Sequence, residues 1–206
     1  MAVYRLQSAG LSTWNASYKC WYYKVSGNYF DLLGANLLRG RFFHESDEHG
    51  PNSAPYIVLS EQFWERNFGS DSNIAGRRVA INRHPFTVIG VAPREFHGND
   101  LFIWPDFRMP IIEGEDYENT DFLTWRGNHN LFILGRLKQG ITIQQATEDL
   151  RGVASELAKA VSEHRRGFGR EAGEARAHGR RVGRPGAVLY CGDHGAGISS
   201  AAGSMH

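Results

Sequence analysis

The sequence predicts an α+β fold, with mixed or antiparallel sheet segments and helices packed on them. Three observations carry that reading. Tyr56-Ile57-Val58-Leu59 and the run from Phe86 to Val91 are apolar, bounded by turn residues and too short for helices, so they read as buried strands. Two helices are marked by their ends: Ser60 precedes a segment closed by Gly69, and Thr142 with Gln145 heads a long amphipathic stretch. The connections are short, and Arg78-Val79-Ala80-Ile81-Asn82 followed by Pro85 reads as a hairpin.

Composition sets the bounds. At 206 residues, with 41% hydrophobic and 12% aromatic residues, the chain can build a real core as one domain with a terminal appendage. A net charge of +1 points neither to nucleic acid nor to an acidic substrate. The balance is uneven, since residues 1–160 hold 16 basic and 18 acidic groups (net −2) and residues 161–206 hold 7 and 4 (net +3). Cys20 and Cys191 are far apart and read as two unrelated thiols. No run reaches the roughly 18–20 apolar residues that span a bilayer, and the first residues lack the apolar centre of an export signal.

Residues 1–24 read as an aromatic-rich β segment, with Lys19, Trp21 and Tyr23 on one parity and Tyr18, Cys20, Tyr22 and Lys24 on the other. Ser26 is placed to cap a short helix through Tyr29, Phe30, Leu32 and Leu33, ended by Gly34. The stretch from His44 to Gly50 holds two histidines among three carboxylates, yet it reads as a solvated loop because nothing fixes a ligand geometry. Ser60 then caps a helix carrying Phe63, Trp64 and Phe68, with Glu61 complementing its dipole.

Past that helix, His84 is expected at the hairpin tip, Pro85 at the first position of the next strand, and His97 after a turn. Residues 100–118 are a mixed, proline-interrupted segment, whose Glu113, Glu115, Asp116 and Glu118 read as a solvated acidic face. Trp125, Arg126 and His129 lead into Leu131-Phe132-Ile133-Leu134, a buried-strand candidate. In the helix of residues 142–160, Ile143, Ala146, Leu150, Val153 and Leu157 form one apolar stripe, expected to pack on a sheet. Residues 163–186 are rich in Gly and Arg and are expected to hold little fixed structure. The dinucleotide-like Gly167-Phe168-Gly169-Arg170-Glu171-Ala172 follows no strand and reads as accidental.

An ordered series runs through the chain: Val25-Ser26-Gly27-Asn28-Tyr29-Phe30, Leu33-Gly34, Gly40-Arg41-Phe42-Phe43, Val58-Leu59-Ser60, Trp64, Phe68-Gly69, Ile74-Ala75-Gly76, the stretch from Pro85 to Pro93, Gly135-Arg136-Leu137-Lys138 and Gly140. This series resembles the periplasmic core domain of MacB-type (FtsX-like) ABC transporter permeases, and among them the large duplicated permeases described from acidobacteria. The resemblance covers about residues 25–160 and departs at Asp106-Phe107-Arg108-Met109-Pro110, where the family usually has a Trp before the apolar-Pro pair. It implies a core domain over residues 1–160 and a tail over 161–206 that is not the family's continuation. The chain would be a partial permease without its membrane helices.

No serine stands in a nucleophile elbow, no phosphate loop is present, and no cysteines are paired. The residues therefore suggest no catalytic, cofactor or metal site. The resemblance implies a non-catalytic extracytoplasmic domain that couples ATP-driven motion of membrane helices to export or extraction of a substrate. Its partners would be the parent permease's membrane helices, a cytoplasmic ATPase and a periplasmic protein, as a dimer and without nucleic acid. Phe63, Trp64, Phe68, Phe86, Val88 and Ile89 would be the core of that lever. Two other readings stand beside it: a ligand-binding module using the aromatic face of residues 14–23, and a hydrolase using the His and acidic loops.

Overall fold

The structure is a computed structural model that describes residues 1–98, 103–113, 131–162, 175–177 and 188–191. The chain divides into two compact units, the first built on Ala2–Leu131 and the second on Phe132–Arg181 and Pro185–His206. In the first unit the elements are β1 (Ala2–Ser12), β2 (Ser17–Val25), α1 (Tyr29–Leu33), β3 (Arg39–Gly40), β4 (Tyr56–Ser60), α2 (Glu61–Phe68), β5 (Arg78–Ile81), β6 (His84–Ala92) and β7 (Phe107–Pro110). The second holds β8 (Phe132–Arg136), α3 (Ile143–Ser162), β9 (Ala175–Ala177) and β10 (Val188–Cys191). The fold is α+β.

Six strands of the first unit close into a ring, in the order β1, β2, β7, β4, β6, β5 and back to β1. The pairs β2–β7 and β4–β6 are parallel and the other four antiparallel. Every strand of the ring thus has a neighbour on both sides, which removes the exposed edges of an open sheet. One face of each strand points to a common core, with Leu11, Tyr22, Leu59, Ile81, Val88 and Phe107 meeting Phe63, Trp64 and Phe68 of α2. Burying each such side chain contributes about 1.5–3 kcal/mol.

The opposite face carries a second, aromatic cluster. Phe30 of α1 stacks on Phe42 at 4.0 Å and meets Phe43 and Phe96 at 5.2 and 5.7 Å. Into it projects Arg108, which is fully buried. Its Nη2 donates to the Phe96 carbonyl at 2.7 Å, and its guanidinium lies 4.6 Å over the Phe96 ring. Its Nε and Nη1 have no hydrogen-bond partner among the described residues. Burial pulls its pKa below the ordinary value, opposed by the Tyr29 and Tyr23 hydroxyls.

Local readings hold where they depend on caps and turns. Ser60 Oγ accepts from the Phe63 N–H at 3.3 Å, and Gly34 and Gly69 end their helices with φ of 63° and 59°. Thr142 and Gln145 cap reciprocally, since Gln145 N donates to Thr142 Oγ1 at 3.2 Å and Thr142 N to Gln145 Oε1 at 2.9 Å.

Others are corrected. Ser26 does not cap α1; its hydroxyl accepts from the Val3 N–H at 3.0 Å and donates to Asn28 Oδ1 at 2.8 Å, tying the helix entry to β1. The hairpin tip is Asn82-Arg83, both at positive φ, while His84 pairs with Ile81 and Pro85 is the strand's second residue. The proline-interrupted segment contains a four-residue strand, β7, buried at every position. Glu113 is buried, accepting from the Ala54 N–H at 2.6 Å, while Glu115, Asp116 and Glu118 lie outside the described residues. Trp125, Arg126, His129 and the Gly167–Ala172 motif also lie outside them.

In the second unit, β8 begins at Phe132, and of its residues Leu134 alone is fully buried. It pairs antiparallel with β10, which pairs in turn with β9. The apolar stripe of α3 does not end in a core. Ile143, Ala146 and Leu150 are half-buried, but Val153 and Leu157 are 53% and 61% exposed.

Candidate functional site

The ring's pairing brings four chain segments to one end. Because β4 runs parallel to β6 and antiparallel to β7, and β2 runs parallel to β7, the ends of β4 and β6 meet the beginnings of β2 and β7 there. α2 starts at the same place, directly from β4. Between these segments lies a cleft of about 660 Å³, walled by Tyr18 and Trp21 from β2, Phe63, Arg66 and Asn67 from α2, Phe96 and His97 after β6, and Trp104 and Asp106 before β7.

Asp106 knits this end together. Its main-chain N–H donates to Trp21 O at 2.7 Å, and its carbonyl accepts from the Ser60 N–H at 2.8 Å. Its carboxylate accepts from the Trp21 N–H at 3.0 Å and from Arg66 Nη2 at 3.2 Å. Burial pushes its pKa up, against the Trp21 N–H and Arg66, which pull it down. The 94–97 side is fastened to α2: the Arg94 N–H donates to Glu61 at 2.7 Å, and Arg94 Nη2 meets Glu65 at 2.6 Å. The His97 and Trp104 rings stack at 4.3 Å with 16° between their planes.

In the core cluster, Cys20 carries a free, buried thiol. Burial, with the Asp106 charge as a lesser cause, pushes its pKa up to about 12, so it stays protonated and a poor nucleophile at neutral pH. The walls are suited to stacking and hydrogen bonding a ligand.

The residues singled out in the sequence end in different places. Phe63, Trp64, Phe68, Phe86 and Val88 share the core cluster, whereas Ile89 faces the other way. The His44 ring meets Asp31 at 3.1 Å, and Asp47 takes a two-pronged contact from Arg41 at 2.8 Å on each oxygen. That hydrogen bonding, chiefly from Arg41, holds Asp47's pKa below the ordinary value. These groups fix the loop's own shape, and no group of three potential metal ligands occurs among the described residues.

The aromatic face of residues 14–23 is not continuous, because Tyr22 and Tyr23 are buried while Trp14 and Trp21 are 86% and 43% exposed. The sequence does not mark Trp104, the ring that shares the cleft with Trp21. Its only local signal is a Trp-Pro pair in a segment without apolar period.

The fold is a closed mixed ring whose apolar series goes into packing, with an aromatic-walled cleft at one end. The chain belongs to the MacB-like periplasmic core domain family, whose model matches residues 2–153, and this is an extracytoplasmic domain of ABC transporter permeases.

Over 134 residues the chain is 29% identical to the macrolide export ATP-binding/permease protein MacB of Neisseria gonorrhoeae, covering 62% of this chain and 20% of that protein. It is 28% identical over 133 residues to the probable syringafactin export ATP-binding/permease protein SyfD of Pseudomonas syringae pv. tomato, covering 63% and 18%. The chain therefore spans at most a fifth of the length of these curated relatives. Among solved structures, the periplasmic region of MacB from Actinobacillus actinomycetemcomitans is similar in fold, with a TM-score of 0.51, 22% identity and coverage of 80% of this chain and 77% of that one. A domain of a putative permease from Porphyromonas gingivalis gives 0.54, 18%, 76% and 63%.

Proposed function

We propose that this chain couples ATP-driven motion of membrane helices to export or extraction of a substrate, on the periplasmic side of an inner-membrane permease. The observation that carries the reading is the family match over residues 2–153, which takes in the whole ring and much of α3. A ring paired on both sides of every strand has no free edge, and in this reading it moves as one body when the membrane helices push on it. No helix among the described residues is long and apolar enough to cross a membrane, so the push would come from membrane helices of the parent permease.

ATP would be bound by a separate domain or subunit, as the relatives' double name of ATP-binding/permease protein suggests. The domain itself is non-catalytic in this reading, works in a dimeric transporter, and hands substrate to a periplasmic partner. The relatives' names, with macrolide and syringafactin export, favour an exported small molecule.

Spin-label distance measurement on the reconstituted parent permease with its ATPase tests the coupling. Trp14→Cys in a Cys191→Ser background gives an exposed labelling site in the β1–β2 turn, while the buried Cys20 stays unlabelled. The distance between two labelled copies should change on ATP binding and reset after hydrolysis. An unchanged distance in a transport-active complex overturns the coupling.

The same reading puts the core domain at residues 1–160 and a tail at 161–206. Limited proteolysis with mass spectrometry should leave a fragment ending near Ala160, and protection through His206 would overturn that boundary.

A further inference from the structure

The cleft has a make-up that force transmission does not require. Among the described residues, most aromatic side chains of the first unit are buried, but Trp21 and Trp104, on the cleft walls, are 43% and 46% exposed. His97 stacks on one face of Trp104, which helps hold the half-exposed indole in place. Two half-exposed indoles on a concave wall are a stacking site in search of a ring.

The polar groups on the same walls narrow the class of ring. Arg66 is 65% exposed and spends a single contact on Asp106, so the rest of its fork is available. Gln62 and Asn67 line the cleft as well; Asn67 Nδ2 donates to the Phe63 carbonyl at 3.2 Å, which leaves its amide oxygen as an acceptor. A purely apolar or flat aromatic ligand would strip water from these groups and give them no partner. Lys19, Arg66 and Arg94 share the walls with Glu61 and Asp106, so a polyanion and a polycation would each meet like charge there. A ring with an apolar face and a hydroxyl-bearing edge satisfies both kinds of wall, and a volume of about 660 Å³ holds an oligosaccharide of a few units.

We propose that this cleft binds a saccharide, with a pyranose ring against Trp21 and Trp104 and its hydroxyls on Arg66, Asn67 and Asp106. The proposal stands independently of the transport reading, and a negative result in either test leaves the other intact.

The test is titration of the full chain with maltotriose, cellotriose and chitotriose, followed by tryptophan emission and calorimetry. At least one should give a saturable change, with a Kd on the order of 1 mM. Trp104→Ala and Arg66→Gln should each weaken binding about tenfold or more with an unchanged far-UV spectrum, since the Trp104 indole is half-exposed and the Arg66 side chain mostly in solvent. Trp14→Phe, outside the cleft, should leave the affinity unchanged. Comparing maltose with octyl maltoside below its micelle threshold separates sources: equal affinity supports a free saccharide, and tighter binding of the glycoside a lipid-linked one. Three outcomes overturn the proposal: no saturable response to any trisaccharide, equal losses in Trp14→Phe and Trp104→Ala, or binding of anilinonaphthalene sulfonate with none of the saccharides.

Discussion

α2 starts under a Ser60 cap and buries Phe63, Trp64 and Phe68, whereas α3 starts under a reciprocal Thr142–Gln145 cap and leaves Val153 and Leu157 more than half exposed. Both helices carry an apolar stripe at the spacing that defines one face. They differ in what the chain puts beside that face. α2 leaves β4 directly and leads to β5 and β6, so the crossover between parallel β4 and β6 carries its apolar face to the ring's core. α3 stands in the second unit and only its first turns, with Thr147 at 4% exposure, find cover. Amphipathicity states which face is apolar; the connection decides what covers it.

Replacing one side chain in each stripe should break the symmetry most. Trp64→Ala should destabilise the first unit by about 3–5 kcal/mol in urea unfolding, because it removes a large ring from a closed core. If it costs no more than a surface change, α2 is not part of that core.

The caps should differ more quietly. Ser60→Ala should cost about 1 kcal/mol of global stability, since α2 unfolds with the ring. Thr142→Ala should show mainly as faster amide exchange in the first turn of α3, a local opening. Equal effects on the urea midpoint would erase the distinction between a helix built into a core and one with a free face.

The ground under α2 should respond to pH. Burial raises the Asp106 pKa above 3.8, so its contribution is complete below that value and is lost as pH rises through the folded value. Relative to Asp106→Asn, the native protein should therefore lose stability with rising pH across that window. A series of urea midpoints checks it, and the opposite slope would mean that Arg66 and the Trp21 N–H outweigh burial.

The smallest effect belongs to α3. Leu157→Lys should shift stability by no more than about 0.5 kcal/mol, as at other exposed sites. A large loss would mean that the outer half of the stripe is covered in solution.

Much of this fold was legible because its signals are local. The Ser60 and Gly69 caps, the Thr142–Gln145 box, and the apolar runs of β4 and β6 follow from hydrogen bonding and sterics within a few residues. β7 was not legible, for physical reasons. It is four residues long, ends in Pro110, is buried on both faces and so has no period, and holds an arginine where a strand core should be apolar. Arg108 is tolerated there because Phe96 offers a carbonyl and a ring face, and Phe96 is twelve residues away. The cleft was half legible, since Trp21 stood out in its aromatic run while Trp104, His97 and Asp106 join it only through the ring.

By itself the sequence determined the α+β class, the helix ends, the strand-forming runs and the ordered series that marks the family. Those depend on interactions between near neighbours. Tertiary structure alone decided that β1 closes the ring, that an arginine is buried beneath aromatic rings, that two tryptophans face one cleft, and that α3 keeps an open face. Each of these depends on which distant segments meet. Burial is a property of that meeting, and no residue carries it alone.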